Sequence, residues 1–104
     1  MAAELSEVRL TPAALGDLED IWRYTADLWS EHQAERYVDG LATTFETLRA
    51  MPEIARERPE FRPPVRVHPS GEHVVVYHVK GDALEVIRVL GGRQNWRAVL
   101  ARLR

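Results

Sequence analysis

At 104 residues the chain is long enough for one domain with a single core and too short for two. It contains no cysteine, which excludes disulfides, thiolate metal sites and a cysteine nucleophile. Its formal net charge of −2 excludes the overall basic excess of a protein that lives on nucleic acid, leaving room only for a local patch.

Residues 4–10 alternate, with Ser6, Val8 and Leu10 against Glu7 and Arg9, and predict a short strand with one buried face. Thr11-Pro12 opens a helix: threonine can cap, and proline at the first helical position loses no hydrogen bond. Leu15, Leu18, Ile21, Trp22, Thr25, Leu28 and Trp29 recur at three and four residues as one apolar stripe, while the helix carboxylates, Asp17 among them, are expected on the solvent side. Ser30-Glu31-His32-Gln33 is a capping box that starts a second helix. Its stripe runs through Ala34, Tyr37, Val38, Leu41, Ala42, Phe45 and Leu48, and it ends near Met51, before Pro52. The turn between the helices is very short, so they form an antiparallel hairpin.

Residues 52–64 are punctuated by Pro52, Pro59, Pro63 and Pro64 and mix arginine with glutamate, which predicts a solvated surface connection. A β-meander follows: a strand over Val65–His68, a turn at Pro69-Ser70-Gly71, a strand over His73–Val79, a turn at Lys80-Gly81-Asp82, and a strand over Leu84–Leu90. Gly91-Gly92 ends it, and Trp96–Leu103 can form a short terminal helix. The fold class is therefore α+β, a two-layer β-α-α-β-β-β arrangement with the hairpin packed on a small, mostly antiparallel sheet. Tracking direction along the chain, the first strand is expected to pair antiparallel with either the 65–68 or the 84–90 strand. The 73–79 strand is apolar on both parities, Val74 and Val76 against Val75, Tyr77 and Val79, so the terminal helix or a partner should cover the second face.

In this order the chain resembles the ParE branch of the ParE/RelE toxins. The matching segments are Val8–Ala14, Asp17–Thr25, Gln33–Tyr37, Arg62–Arg66, His73–Tyr77 and Glu85–Leu90. The resemblance implies the toxin of a two-gene toxin–antitoxin module, neutralised by a small ParD-like antitoxin in a hetero-oligomer. It implies DNA gyrase as the target, held in its DNA-cleaved state. The related RelE branch implies instead a metal-independent ribonuclease at the ribosome, and an inactive member that only binds its antitoxin is a third reading. Where family members often carry a histidine after the last strand's leucine, this chain has Gly91.

For RNA cleavage the available groups are Arg66, His68, Tyr77, His78, Arg88 and Arg93. His68, His73 and His78 are evenly spaced, but His73 and His78 face opposite sides of one strand, which argues against a metal site. No catalytic residue, metal or cofactor is expected. A binding surface fits better, with an antitoxin segment adding along a sheet edge or laying apolar groups on an exposed face. The candidates for antitoxin contact are Trp22, Trp29, Arg66, Val74, Val76, His78 and Arg88; the ordinary alternatives are hairpin core for the tryptophans and intrachain ion pairs for the arginines. The candidates for target contact are Arg93, Gln94, Asn95 and Trp96, just past a glycine hinge, where the alternative for Trp96 is docking of the last helix. Residues 1–5 lack a basic region followed by an apolar run, and no stretch approaches the ~18 apolar residues of a membrane span. A soluble cytoplasmic protein is expected, with no membrane partner and no sequence-specific nucleic-acid binding.

Overall fold

The computed structural model describes residues 4–102. Strand β1 (Glu7–Leu10) runs into helix α1 (Pro12–Leu28) through Thr11. The Thr11 hydroxyl accepts from the Ala14 N–H at 3.1 Å and donates to the Ile87 carbonyl at 2.7 Å, so one side chain both caps the helix and ties it to the sheet. Helix α2 (Glu31–Ala50) starts at Ser30, whose Oγ accepts from the Gln33 N–H at 3.0 Å, as the capping box predicts. It ends at Met51, and Pro52–Ile54 forms a single 3₁₀ turn.

The remaining elements are β2 (Glu57–Arg58), β3 (Val65–Ser70), β4 (His73–Lys80), β5 (Ala83–Gly91) and α3 (Trp96–Ala101). The sheet has five strands in the order β1-β5-β4-β3-β2. Its three pairings β2–β3, β3–β4 and β4–β5 are antiparallel, but β1 lies parallel to β5, with Leu10 opposite Val86. The expected antiparallel pairing of the first strand is thus corrected. The cause is β2: the run read as a plain connection reverses the chain once more, pairing Arg58 with Val65 and Glu57 with Arg66, and this flips the direction of every later strand. Strand β3 also continues through Pro69 and Ser70, which had been expected in the turn. Proline is tolerated there because β2 covers β3 only as far as Arg66, so Pro69 lies on an open edge.

The sheet is covered on both faces. Against the hairpin, Ala14, Ile21, Leu41, Phe45 and Leu48 pack on Val75, Tyr77, Leu84, Val86 and Val89. The buried Tyr77 hydroxyl is satisfied by the Pro52 carbonyl at 2.7 Å, which pins the 3₁₀ turn to this core. On the other face, Val65, Val67, Val76 and Leu90 form a second core with Trp96 and Leu100 of α3, joined by partly buried Phe61, Val74, Ile87 and Val99. The double apolar parity of β4 is explained: the terminal helix covers the second face.

Candidate binding surfaces

The hairpin does not hide its whole apolar stripe. At the end of α1, Tyr24 is 68% exposed, Leu28 57% and Trp29 73%, and Leu15 stands out further up the helix. The seven stripe positions fan more widely than the roughly 100° a helix needs to face one core, so Leu15 and Leu28 at its margins project, while Trp29 is the C-cap residue, just past the last helical turn. The hairpin-core alternative for Trp29 is thus excluded, whereas Trp22 is half-buried. Beside this patch lies a groove of about 320 Å³ lined by Ile21, Tyr24, Thr25, Trp29, Tyr37 and His73, among others.

Hydrogen bonds tie the floor of that groove together. The Glu72 N–H donates to the Tyr37 phenol oxygen at 2.9 Å, and that oxygen lies 2.6 Å from His73 Nδ1 and 3.5 Å from the Ser70 carbonyl oxygen. Gly71 turns beneath it with φ +59°, and a Cβ there would sit 2.8 Å from the Tyr37 oxygen, so position and conformation both require glycine. Burial lowers the His73 pKa and raises that of Tyr37; for the histidine, the charges of Glu72 and Asp17 oppose the shift without reversing it.

The charged candidates are engaged within the chain. Arg88 forms a two-pronged ion pair with Asp17, Nε to Oδ2 and Nη2 to Oδ1, both 2.8 Å, and the Val89 N–H also donates to Asp17 at 2.8 Å. Asp17 is thus turned toward the sheet, a correction to its expected solvent position. The pair raises the Arg88 pKa, chiefly through the hydrogen bond to Asp17. His78 Nε2 meets Glu85 Oε1 at 2.7 Å. Arg66 donates to the Ala55 carbonyl and lines a shallow cleft with Glu57, Pro63, Pro64, His78 and Val79. Val74 and Val76 belong to the second core, Val76 with no exposed surface. A partner reaches Val76 only if α3 moves away.

The structure therefore separates the sequence candidates. Trp29 marks an open apolar site, Arg66 and His78 share a cleft, Arg88 clips α1 to β5, and the two valines are interior. In the C-terminal segment Arg93 is exposed, the Asn95 side chain caps α3 through the Ala98 N–H at 3.3 Å, and Trp96 is buried. Gln94 folds back to accept the Gly91 N–H at 2.8 Å. A Cβ on Gly91 would lie 2.9 Å from that carboxamide oxygen, so in this chain the Gln94 amide takes up the space beside position 91. Tyr24, Tyr37 and His73 escape sequence reading as site residues. Tyr24 carried a usable signal, an aromatic flanking the stripe one turn before Leu28; the Tyr37–His73 contact spans 36 positions and leaves no local trace.

No helix among the described residues is long and apolar enough to cross a membrane, and no group of three or more His, Asp or Glu among them is placed to hold a metal ion. What fold and surface define is a small α+β domain with a core on each face of its sheet and a cluster of exposed apolar groups at the end of α1. Residues 8–96 match the family model described as the ParE toxin of type II toxin–antitoxin system, parDE. The chain belongs to that family. It is similar to Toxin ParE1 of Mycobacterium tuberculosis, 38% identical over 91 residues that cover 86% of this chain and 93% of that one. Toxin ParE1 of Caulobacter vibrioides is 39% identical over 92 residues, covering 88% and 95%. In fold it is similar to a chain from the chromosomal ParDE TA system of P. aeruginosa, with a TM-score of 0.72 at 20% identity over 86% of this chain and 98% of that one.

Proposed function

We propose that this toxin inhibits DNA gyrase by binding it, performs no catalysis, acts in the cytoplasm, and is neutralised by a ParD-like antitoxin that docks on the Tyr24–Leu28–Trp29 patch. The observation that carries the reading is that patch: three large apolar side chains, two of them aromatic, exposed together beside a groove. Tryptophan and tyrosine are the residues most enriched where binding energy concentrates. An antitoxin helix with apolar groups three and four residues apart fits such a strip.

The polar groups favour binding over RNA cleavage. A metal-free ribonuclease needs a free base, a free acid and unpaired cations around one phosphate. Here His78 is held by Glu85, Arg88 by Asp17, and Arg66 by a backbone carbonyl. Arg93 is the exposed cation of the segment assigned to the target, with Gln94 and Asn95 shaping its turn and Trp96 anchoring it from below.

The test is gyrase supercoiling and DNA cleavage with the purified chain and its Arg93→Ala variant. Cleaved DNA trapped by the parent and lost in the variant is the expected result. Folded protein without effect on gyrase but active in ribosome-dependent mRNA cleavage would replace this reading with the nuclease.

A further inference from the structure

The small net charge hides a division. Residues 1–50 hold ten carboxylates and four arginines; residues 51–104 hold six carboxylates, nine arginines and one lysine. The first group builds β1 and the hairpin, the second the rest of the sheet and α3. The molecule is an acidic layer on a basic one.

The basic side concentrates at α3. Between Gly92 and Arg102 there is no carboxylate, and Arg93, Arg97 and Arg102 are all exposed. Two guanidiniums approach the Trp96 ring, that of Arg97 at 4.3 Å from the centroid and that of Arg58, on edge strand β2, at 5.3 Å. Among the described residues no carboxylate lies within salt-bridge distance of Arg93, Arg97 or Arg102, and Arg58 meets Glu60 only at 3.9 Å. Glu57 and Glu60 are the carboxylates of the neighbouring edge segment.

The chemistry of this face selects its partner. Protein-binding patches draw most of their energy from aromatic and aliphatic anchors, with arginine beside them. Helix α3 exposes none: Trp96 and Leu100 point into the second core, and the exposed large apolar groups lie on the α1 end, around the 3₁₀ turn and at the end of β4. What α3 offers is forked cations alone, which suit phosphate oxygens spaced along a backbone. The acidic hairpin on the opposite layer would be repelled by the same polyanion and so orient the molecule with α3 toward it.

We infer that the α3 face binds nucleic-acid backbone phosphates without reading sequence, through Arg93, Arg97 and Arg102, with Arg58 bracing Trp96 from the edge strand. This function is separate from the antitoxin patch; it shares Arg93 with the segment proposed for gyrase, and it is read on the chain alone, without gyrase.

Fluorescence anisotropy of a labelled duplex of about 20 base pairs and arbitrary sequence, with the full chain alone, tests it. Three phosphate contacts give a log–log salt slope of roughly −2.7, hence about a 40-fold loss of affinity between 50 and 200 mM salt. The triple variant R93A/R97A/R102A should lose most binding at low salt with an unchanged circular dichroism spectrum. The triple lysine variant should keep both binding and slope. The proposal is overturned if the parent shows no salt-dependent binding. It is equally overturned if the alanine variant binds as the parent does, or if poly-glutamate at equal charge displaces the chain as well as unlabelled duplex, which would make the face a site for acidic protein.

Discussion

Asp17 and Arg88, 71 positions apart, close a two-pronged ion pair that joins the second turn of α1 to the far half of β5. The contact sits where β5 has run past its pairing with β1, which ends at Val86, so α1 takes over as the neighbour of the strand. Asp17 answers three donors there, and none finds an equivalent acceptor if it is removed. Asp17→Ala should therefore destabilise the fold by about 2–4 kcal/mol, as expected for breaking a largely buried pair from one side. Urea unfolding of the two proteins measures it. Arg88→Met, which leaves Asp17 bonded to the Val89 N–H, should be the milder change.

Thr11 makes the neighbouring clip. Thr11→Val keeps the β-branched shape but removes both the cap and the bond to Ile87, and should cost about 1–2 kcal/mol. The same unfolding experiment reads it.

The Tyr37–His73 contact makes stability depend on pH. Burial lowers the folded-state pKa of His73 below the ~6.5 of an unfolded chain. The unfolded state then binds the proton more readily, so this contribution is fully present above pH ~6.5 and is lost as pH falls through the folded-state value. Stability should decline below neutrality in the parent, and His73→Phe should flatten that part of the profile in urea titrations at several pH values.

Much of this fold was legible because its signals are local. The caps at Thr11 and Ser30 depend on residues three positions away, and the stripes of both helices repeat within one turn. Strand β2 was not legible: two residues have no periodicity, and Glu57-Arg58 becomes a strand only because Val65 and Arg66 present an edge to it. One unseen reversal was enough to invert the pairing of β1. For the binding surface, the stripe includes Trp29 but does not show that the helix stops at Leu28 and leaves Trp29 at its cap, uncovered. Asp17 reads as one more helix carboxylate until the sheet brings Arg88 beside it.

Trp96 holds the second core shut. Trp96→Ala should cost about 3–5 kcal/mol and loosen α3, because Trp96 is the largest buried side chain of the second core, alongside Val65, Val67, Val76, Leu90 and Leu100. Increased binding of a hydrophobic dye, together with a lower urea midpoint, is the expected signature. Loss of gyrase inhibition in this variant therefore reports on α3 as a whole, whereas Arg93→Ala probes a single exposed side chain.

The central claim is that antitoxin and target use different surfaces of one binding protein. The direct measurement is a gyrase cleavage assay titrated with the cognate antitoxin, comparing the parent with the double variant Y24A/W29A. Both side chains are exposed, so the variant should fold normally and trap cleaved DNA as the parent does. Loss of two anchors should raise the antitoxin concentration needed for neutralisation at least ~30-fold, the effect of one strong hot spot. Neutralisation of the variant at the parent's concentration would contradict the account.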